Sequence, residues 1–446
     1  MTSALGAAHK AALLLAGPLI LLSAKINSTP LMLSLRPPLV LLALALLSPP
    51  LLSAEPSGRK VGAVVIDADP LFDPNVTVEL GPEQIVAPGA GWPYLFQTAE
   101  GGTIVMGHVK WLPKAALPVV FTMQSFDERK TWQAWQPTAA QGPGPITEGV
   151  ALQLKDNRIL VFDVYADHQG GKIFSGKRWV SRDGWHTLEG PETVKVSVPD
   201  IRTDAQIDDR GELVSRLYIR RSILQLPNND LLACAYGVFE NDTSRVQYLP
   251  EMRQGRSYLI RSQDEGLTWS YLATIAAPPQ GQEGYAEPVL LYLRHGKHAG
   301  RLICQMRVGR EHAIWQTESD DQGRTWQTPH ALSWTYSRYG RERQIVGVDP
   351  DLIEMSDGTL VMSYGHKPDY MSHGNFMAFS LDQGATWEGE TRLNSSLTLA
   401  YTGVREISPG ILYVVYTSTK EQRTEKYKSA VFDTMGRTAI VKVRRK

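Results

Sequence analysis

Six residues stand one apiece at the head of six apolar, strand-like runs: Trp92, Glu148, Arg220, Glu287, Asp349 and Tyr401. Six more close the return run that follows each turn: His108, Asp163, Tyr236, Arg307, His366 and Tyr416. A charged or polar side chain beside an apolar strand is costly unless it meets water, a partner or a ligand. Their recurrence at matching positions implies one shared ligand site. Glu148, Asp163, Glu287 and Asp349 are carboxylates, and glycoside hydrolysis uses a pair of these at a separation that sets its stereochemical outcome. His108 and His366 can exchange protons near neutral pH. Trp92 offers a flat face on which a sugar ring could stack.

The runs that carry these residues come in pairs. "WPYLFQTAEGGTIVM" (92–106), "EGVALQLKDNRILVF" (148–162) and "RRSILQLPNNDLLAC" (220–234) each read as strand, tight turn, strand. So do "EPVLLYLRHGKHAGRLIC" (287–304), "DPDLIEMSDGTLVM" (349–362) and "YTGVREISPGILYVV" (401–415). Glycine, asparagine and aspartate at the turns favour tight hairpins. After the hairpins comes a polar octet, "SFDERKTW" (125–132), "SQDEGLTW" (262–269), "SDDQGRTW" (319–326) and "SLDQGATW" (380–387), with a degraded copy at "SRDGWHTL" (181–188). The copies recur about every 60 residues, apart from one gap of about 80, which marks a modular array with an insertion. Each unit supplies about four short strands, and radial repetition of such units makes a β-propeller with short, protected edges. The sixth unit lacks an octet, and "AVVIDADPLF" (63–72) is expected to close the ring by adding a strand to it.

The octets resemble the Asp-box, Ser-x-Asp-x-Gly-x-Thr-Trp, of the sialidase superfamily, over roughly residues 62–434. The resemblance implies an all-β, six-bladed β-propeller of four-stranded antiparallel blades, in which the boxes staple the blades away from the active site. It also implies a tyrosine nucleophile on the sixth blade, matched by Tyr401, and a glutamate on the fourth that activates it, matched by Glu287. An arginine later in the fourth blade, matched by Arg307, would bind a substrate carboxylate. A neutral phenol suits an anomeric centre that bears a carboxylate, because it meets no charge repulsion there. Two of the family's three arginine positions fall instead on Trp92 and His373, and "GHVKWLPKAALPVVFTMQ" (107–124) holds no acid for the aspartate's general-acid role. Stacking on Trp92 would then replace ion pairing. Arg220, Asp163, Asp349 and His366 complete the expected substrate ring, with His108 and Glu148 as candidate acid/base groups.

Lysine plus arginine and aspartate plus glutamate number 46 each, so no broad nucleic-acid footprint is expected. Cys234 and Cys304 lie in apolar runs and read as buried, inert thiols. No zinc spacing, Walker or Rossmann loop or Gly-x-Ser-x-Gly elbow is present, so no metal or cofactor is expected. "LRPPLVLLALALLSPPLLSAEPSGRK" (35–60) reads as a secretory signal cleaved after Ala54, with Met32 as the natural start; a membrane anchor is the competing reading. Residues 1–54 are thus the signal region and 55–446 one propeller domain, secreted or periplasmic. Segments 201–216 and 236–258 are surface loops or walls of the binding mouth, and Arg341 or Arg343 could supply a missing charge there. Three functions fit these observations. One is a glycoside hydrolase acting on a carbohydrate other than, or not limited to, sialosides. The second is a non-catalytic propeller that binds glycan or protein. The third is a polysaccharide lyase whose Arg307 holds a uronate.

Overall fold

The computed structural model describes residues 64–65, 75–109, 119–135, 149–204, 206–207, 213–214, 216–309, 311–335, 344–366, 372–419 and 432–444. All lie within the compact unit Lys60–Lys446. The signal region with Met32 and Ala54, Glu148, Arg341 and Arg343 fall outside these residues. Among the described residues every regular element is a β-strand, and no helix is long and apolar enough to cross a membrane.

Each of the six predicted hairpins forms as an antiparallel pair. The turns use the residues that tolerate a left-handed backbone: Asn157 (φ 70°), Asn229 (φ 71°) and Gly358 (φ 86°) each precede the return strand. Four-strand meanders follow in the sheets that begin at Gly91–Gln97, Ala286–Tyr292 and Val348–Glu354. The units that begin at Val150–Gln153 and Arg216–Gln225 are fused into one nine-stranded sheet. There Tyr165–Gly170 pairs with both neighbours, and Glu189–Ser197 runs parallel to Thr268–Ala276. The segments foreseen as insertions in the long gap form two small separate sheets instead, Gln206–Ile207 with Leu213–Val214 and Arg245–Val246 with Leu249–Arg253.

Inner strands of successive units touch in chain order, and Thr402–Ser408 in turn touches Gly91–Gln97. Between the first two units the Tyr94 hydroxyl donates to the Ala151 carbonyl at 3.0 Å. The fold is a β-propeller. Its inner strands line a cavity of about 980 Å³, in which Arg405 donates to Asp351 at 2.7 Å and lies over the Tyr94 ring.

The closing strand differs from expectation. Val76–Leu80, just beyond "AVVIDADPLF", pairs with Asp433–Val443 and becomes the fourth strand of the last sheet. Val64–Val65 adds only a short outer edge to it. The alternation is the reason: Val76, Val78 and Leu80 are buried while Thr77 is exposed, the period-2 pattern of a strand with one covered face.

All five octets make the same bonds. In each, the serine hydroxyl donates to the aspartate, and the threonine amide and hydroxyl donate to the same carboxylate. The fifth residue, usually glycine, is left-handed in every copy, including Arg129 (φ 68°) and Trp185 (φ 84°). These hydrogen bonds hold the Asp127 and Asp321 carboxyls down at about 2; for Asp321 they do so against the burial that would raise it. The degraded copy has moved its tryptophan. Trp185 is fully buried and packs 5.7 Å from Phe96, while Leu188 takes the usual tryptophan place.

Candidate functional site

Three inner strands begin with the same backbone device. Trp92 (φ 51°), Glu287 (φ 43°) and Asp349 (φ 51°) are left-handed, precede a proline and sit in a bulge of the first strand pair. A bulge re-aims the side chain it carries, and a left-handed non-glycine residue is strained. Repeating that strain at the head of three strands turns these side chains toward a common centre.

In the third unit the register slips. The left-handed residue is Arg221 (φ 25°), not Arg220, because Arg221 and Ser222 both bulge between the paired residues Arg220 and Ile223. Arg221 Nε donates to Asp349 Oδ1 at 3.1 Å, its Nη2 to Asp349 Oδ2 and its Nη1 to the Thr402 carbonyl. Arg220 Nη2 also donates to Asp349 Oδ1. Asp349 is fully buried, so it is the shared counter-ion of two arginines and not a carboxylate open at the mouth.

Above this triad, Tyr401 Oη donates to Glu287 Oε1 at 2.9 Å. Arg307 Nη1 reaches the same oxygen at 2.9 Å, and Nη2 reaches Glu283 Oε1 at 2.7 Å. Glu287 Oε2 is buried with no hydrogen-bond partner. Half-buried Tyr401 is flanked by the buried Trp92 ring at 5.7 Å and the Arg221 guanidinium at 5.9 Å. Burial acts to raise the Glu287 carboxyl, but Arg307, Arg220 and the phenol outweigh it and hold it well below the ordinary carboxylate range. Burial, with Glu287 and Asp349, pushes the Tyr401 phenol well above its ordinary value. The resting pair is therefore phenol and carboxylate.

The sequence thus brings Tyr401, Glu287, Arg307, Trp92, Arg220 and Asp349 into one cluster. It also placed residues elsewhere. Tyr416 is buried and its hydroxyl donates to Glu83. His366 lies one step past the expected register, since Gly365 is the residue paired with Val348; its ring stands edge-on to Phe376. Asp163 is buried and its amide donates to the Lys177 carbonyl. His108 pairs with Gly91 and Val120 through the backbone, and His373 with Leu397. Cys234 and Cys304 are free and buried, and burial pushes the Cys234 thiol up to about 12.

Sequence reasoning missed Glu283, which takes the second arm of Arg307, although it stands only a turn before Glu287 in "QEGYAEP". It also missed Tyr165 and Tyr218. Tyr218 stacks on Tyr236 at 5.0 Å and meets Tyr165 edge-on at 5.2 Å. Tyr165 and Tyr218 face each other through the pairing of their strands, which no local pattern marks. Neighbouring guanidiniums and carboxylates balance: Arg220, Arg221 and Arg307 face Asp349, Glu283 and Glu287.

A family model described as a BNR repeat-like domain matches residues 118–369. No curated protein matches the sequence. A protein of unknown function from Dyadobacter fermentans has a similar structure, with TM-score 0.56, 18% identity and coverage of 86% of this chain and 99% of that one. The Hadza microbial sialidase Hz136 is similar at TM-score 0.54 and 16% identity, over 81% of this chain and 68% of its own. Trypanosoma rangeli sialidase, solved with 2,3-difluoro-KDN, is similar at TM-score 0.50 and 15% identity, over 78% of this chain and 53% of its own. At these identities the likeness is one of fold.

Proposed function

This chain belongs to the BNR repeat-like domain family, and on that premise we propose that it is a secreted, six-bladed propeller that hydrolyses a glycan. Tyr401 is the nucleophile and Glu287 the group that takes its proton. One observation carries the reading: Tyr401 Oη lies 2.9 Å from Glu287 Oε1, although the two residues are far apart in the chain. A phenol is a weak nucleophile at its free pKa and needs an adjacent base. Glu287, held anionic, cannot deprotonate a resting phenol whose pKa is raised. It accepts the proton as the phenol oxygen bonds the anomeric carbon, when the phenol's acidity rises. The bond to the departing oxygen breaks with its electron pair, and that oxygen takes a proton from solvent. Water then attacks the anomeric carbon and gives a proton to solvent, while the Tyr401 oxygen leaves and takes back the proton held by Glu287, which gives net retention.

The substrate class follows from charge. Three guanidiniums already face three carboxylates, and both arms of Arg307 are engaged. Each guanidinium charge is already balanced, so a ligand carboxylate would meet no net positive charge in the cluster. The pocket suits a sugar without a carboxylate at its reacting centre. The same pairing weighs against a lyase that grips a uronate through Arg307.

Aryl glycosides with good leaving groups test this directly, because they need little help from a general acid. Tyr401→Phe should lower turnover by at least about a thousandfold, and a 2-fluoro glycosyl fluoride should leave a mass adduct on Tyr401 of the native chain. Wild-type turnover by Tyr401→Phe would refute the nucleophile. The second reading, a glycan-binding propeller without turnover, is favoured by the depressed Glu287 carboxyl, a weak base. Binding without product on the same panel would support it.

A further inference from the structure

A large aromatic ring stands at the edge of the same cluster. Tyr248 sits between Arg245–Val246 and Leu249–Arg253, a small hairpin inside the long 236–258 segment. It is 50% exposed, the most exposed aromatic ring among the described residues. Phe126, the next, is stacked on His186 at 4.4 Å. Single exposed apolar side chains are ordinary and carry nothing alone. Tyr248 differs in how firmly it is held and by what.

Its hydroxyl donates to Glu283 Oε1 at 2.5 Å, on the same oxygen that accepts from Arg307 Nη2. Through Arg307 the chain of bonds runs on to Glu287 and Tyr401. The hairpin beneath the ring is strapped to the loop that leads into the fourth inner strand. Gln247 N donates to the Gln282 carbonyl at 3.3 Å, Gly255 N to Glu283 O at 3.1 Å, and Gln254 Nε2 to Gly281 O at 3.0 Å. Gly284, at φ 78°, lets the two segments touch: a Cβ there would lie 2.3 Å from the Gly255 carbonyl oxygen. Hairpin, loop and ring thus form one rigid piece beside the reacting pair. A ring already fixed loses little entropy on binding, and it offers an apolar face with an uncharged edge.

We propose that Tyr248 is a stacking platform for a second sugar ring, the one next in the glycan to the ring held at Tyr401. This inference rests on the glycan reading of the Tyr401 site and adds to it a second subsite and the apolar face of a neutral pyranose as its ligand. Glu283 then has a dual task, closing the Arg307 pair and orienting the platform.

The test uses the full chain and defined probes: lactose, cellobiose, maltose, chitobiose and 3′-sialyllactose, each beside its constituent monosaccharides, titrated by calorimetry. For every disaccharide that wild type binds, Tyr248→Ala should weaken binding about tenfold, and Tyr248→Phe should stay within about threefold. Monosaccharide binding should not change in either variant. Tyr248→Leu, which keeps bulk without a π face, should behave like alanine, with thermal midpoints checked for all three. Unchanged disaccharide binding by Tyr248→Ala, equal weakening of mono- and disaccharides, or no binding of any probe by wild type would overturn the proposal. The two readings fail separately. Tyr401→Phe with full turnover removes the nucleophile but leaves a Tyr248-dependent binding difference intact. A lost platform leaves the Tyr401 adduct intact.

Discussion

Glu287 and Asp349 carry opposite lessons about buried carboxylates. Glu287 has a folded pKa below its ordinary value, so its ion pairs stabilise the fold above the unfolded carboxylate range and fade as pH falls through the folded value. Glu287→Gln should therefore cost about 1–3 kcal/mol at pH 7, with the difference from wild type shrinking as pH drops below about 4. Denaturant midpoints measured across pH 2–7 check this, and parallel curves for the two proteins would refute it. Asp349 is different because it balances two guanidiniums with no exposure at all. Asp349→Asn would leave Arg220 and Arg221 buried against each other, and removal of one partner from such a pair costs about 3–5 kcal/mol. Equilibrium unfolding at pH 7 should show that loss, and a change below 1 kcal/mol would mean that water reaches the pair. Neither role was legible in residue types. The sequence shows that Asp349 heads an apolar strand, but that it faces an arginine doublet depends on a bulge at Arg221–Ser222, and no composition signal marks a bulge.

At the scale of the elements, the octets show how far a motif can drift while its geometry holds. In "SRDGWHTL" the glycine position is Trp185 and the tryptophan position is Leu188, yet Asp183 accepts from the Thr187 amide at 2.9 Å and hydroxyl at 2.6 Å. The intact copy gives 2.9 and 2.7 Å at Asp321 and Thr325. Asp183→Ala and Asp321→Ala should accordingly cost the same, about 1–2 kcal/mol each by the measure of lost caps. Thermal or denaturant midpoints decide it; a silent Asp183→Ala would mark the degraded turn as vestigial. The hairpins and octets were legible because turn chemistry and period-2 alternation are local. The register between strands was less so. His366 misses its expected place by one residue, since an alternating pattern fixes a face without fixing where pairing starts.

In the whole molecule, closure decides whether the site exists. Trp92 enters from the first sheet and Tyr401 from the last, and their rings meet at 5.7 Å. The strand that completes the last sheet, Val76–Leu80, comes from the chain's early part and pairs with Asp433–Val443. That kind of closure joins distant segments, so the alternation of Val76–Leu80 marks a strand with one covered face without saying which sheet it completes. Val76, Val78 and Leu80 are buried in that seam. At about 1.5–3 kcal/mol per buried side chain, before counting the backbone ladder, their loss approaches the 5–15 kcal/mol that holds a typical domain together. A chain beginning at residue 74 should melt cooperatively and keep the Tyr401 adduct chemistry, since Val64–Val65 contributes only an edge. One beginning at residue 82 should lose both the cooperative transition and labelling of Tyr401, and a synthetic peptide spanning 74–81 should restore them in part. Full labelling without the strand would show that the Trp92–Tyr401 contact survives an open ring, and that closure is not what assembles the site.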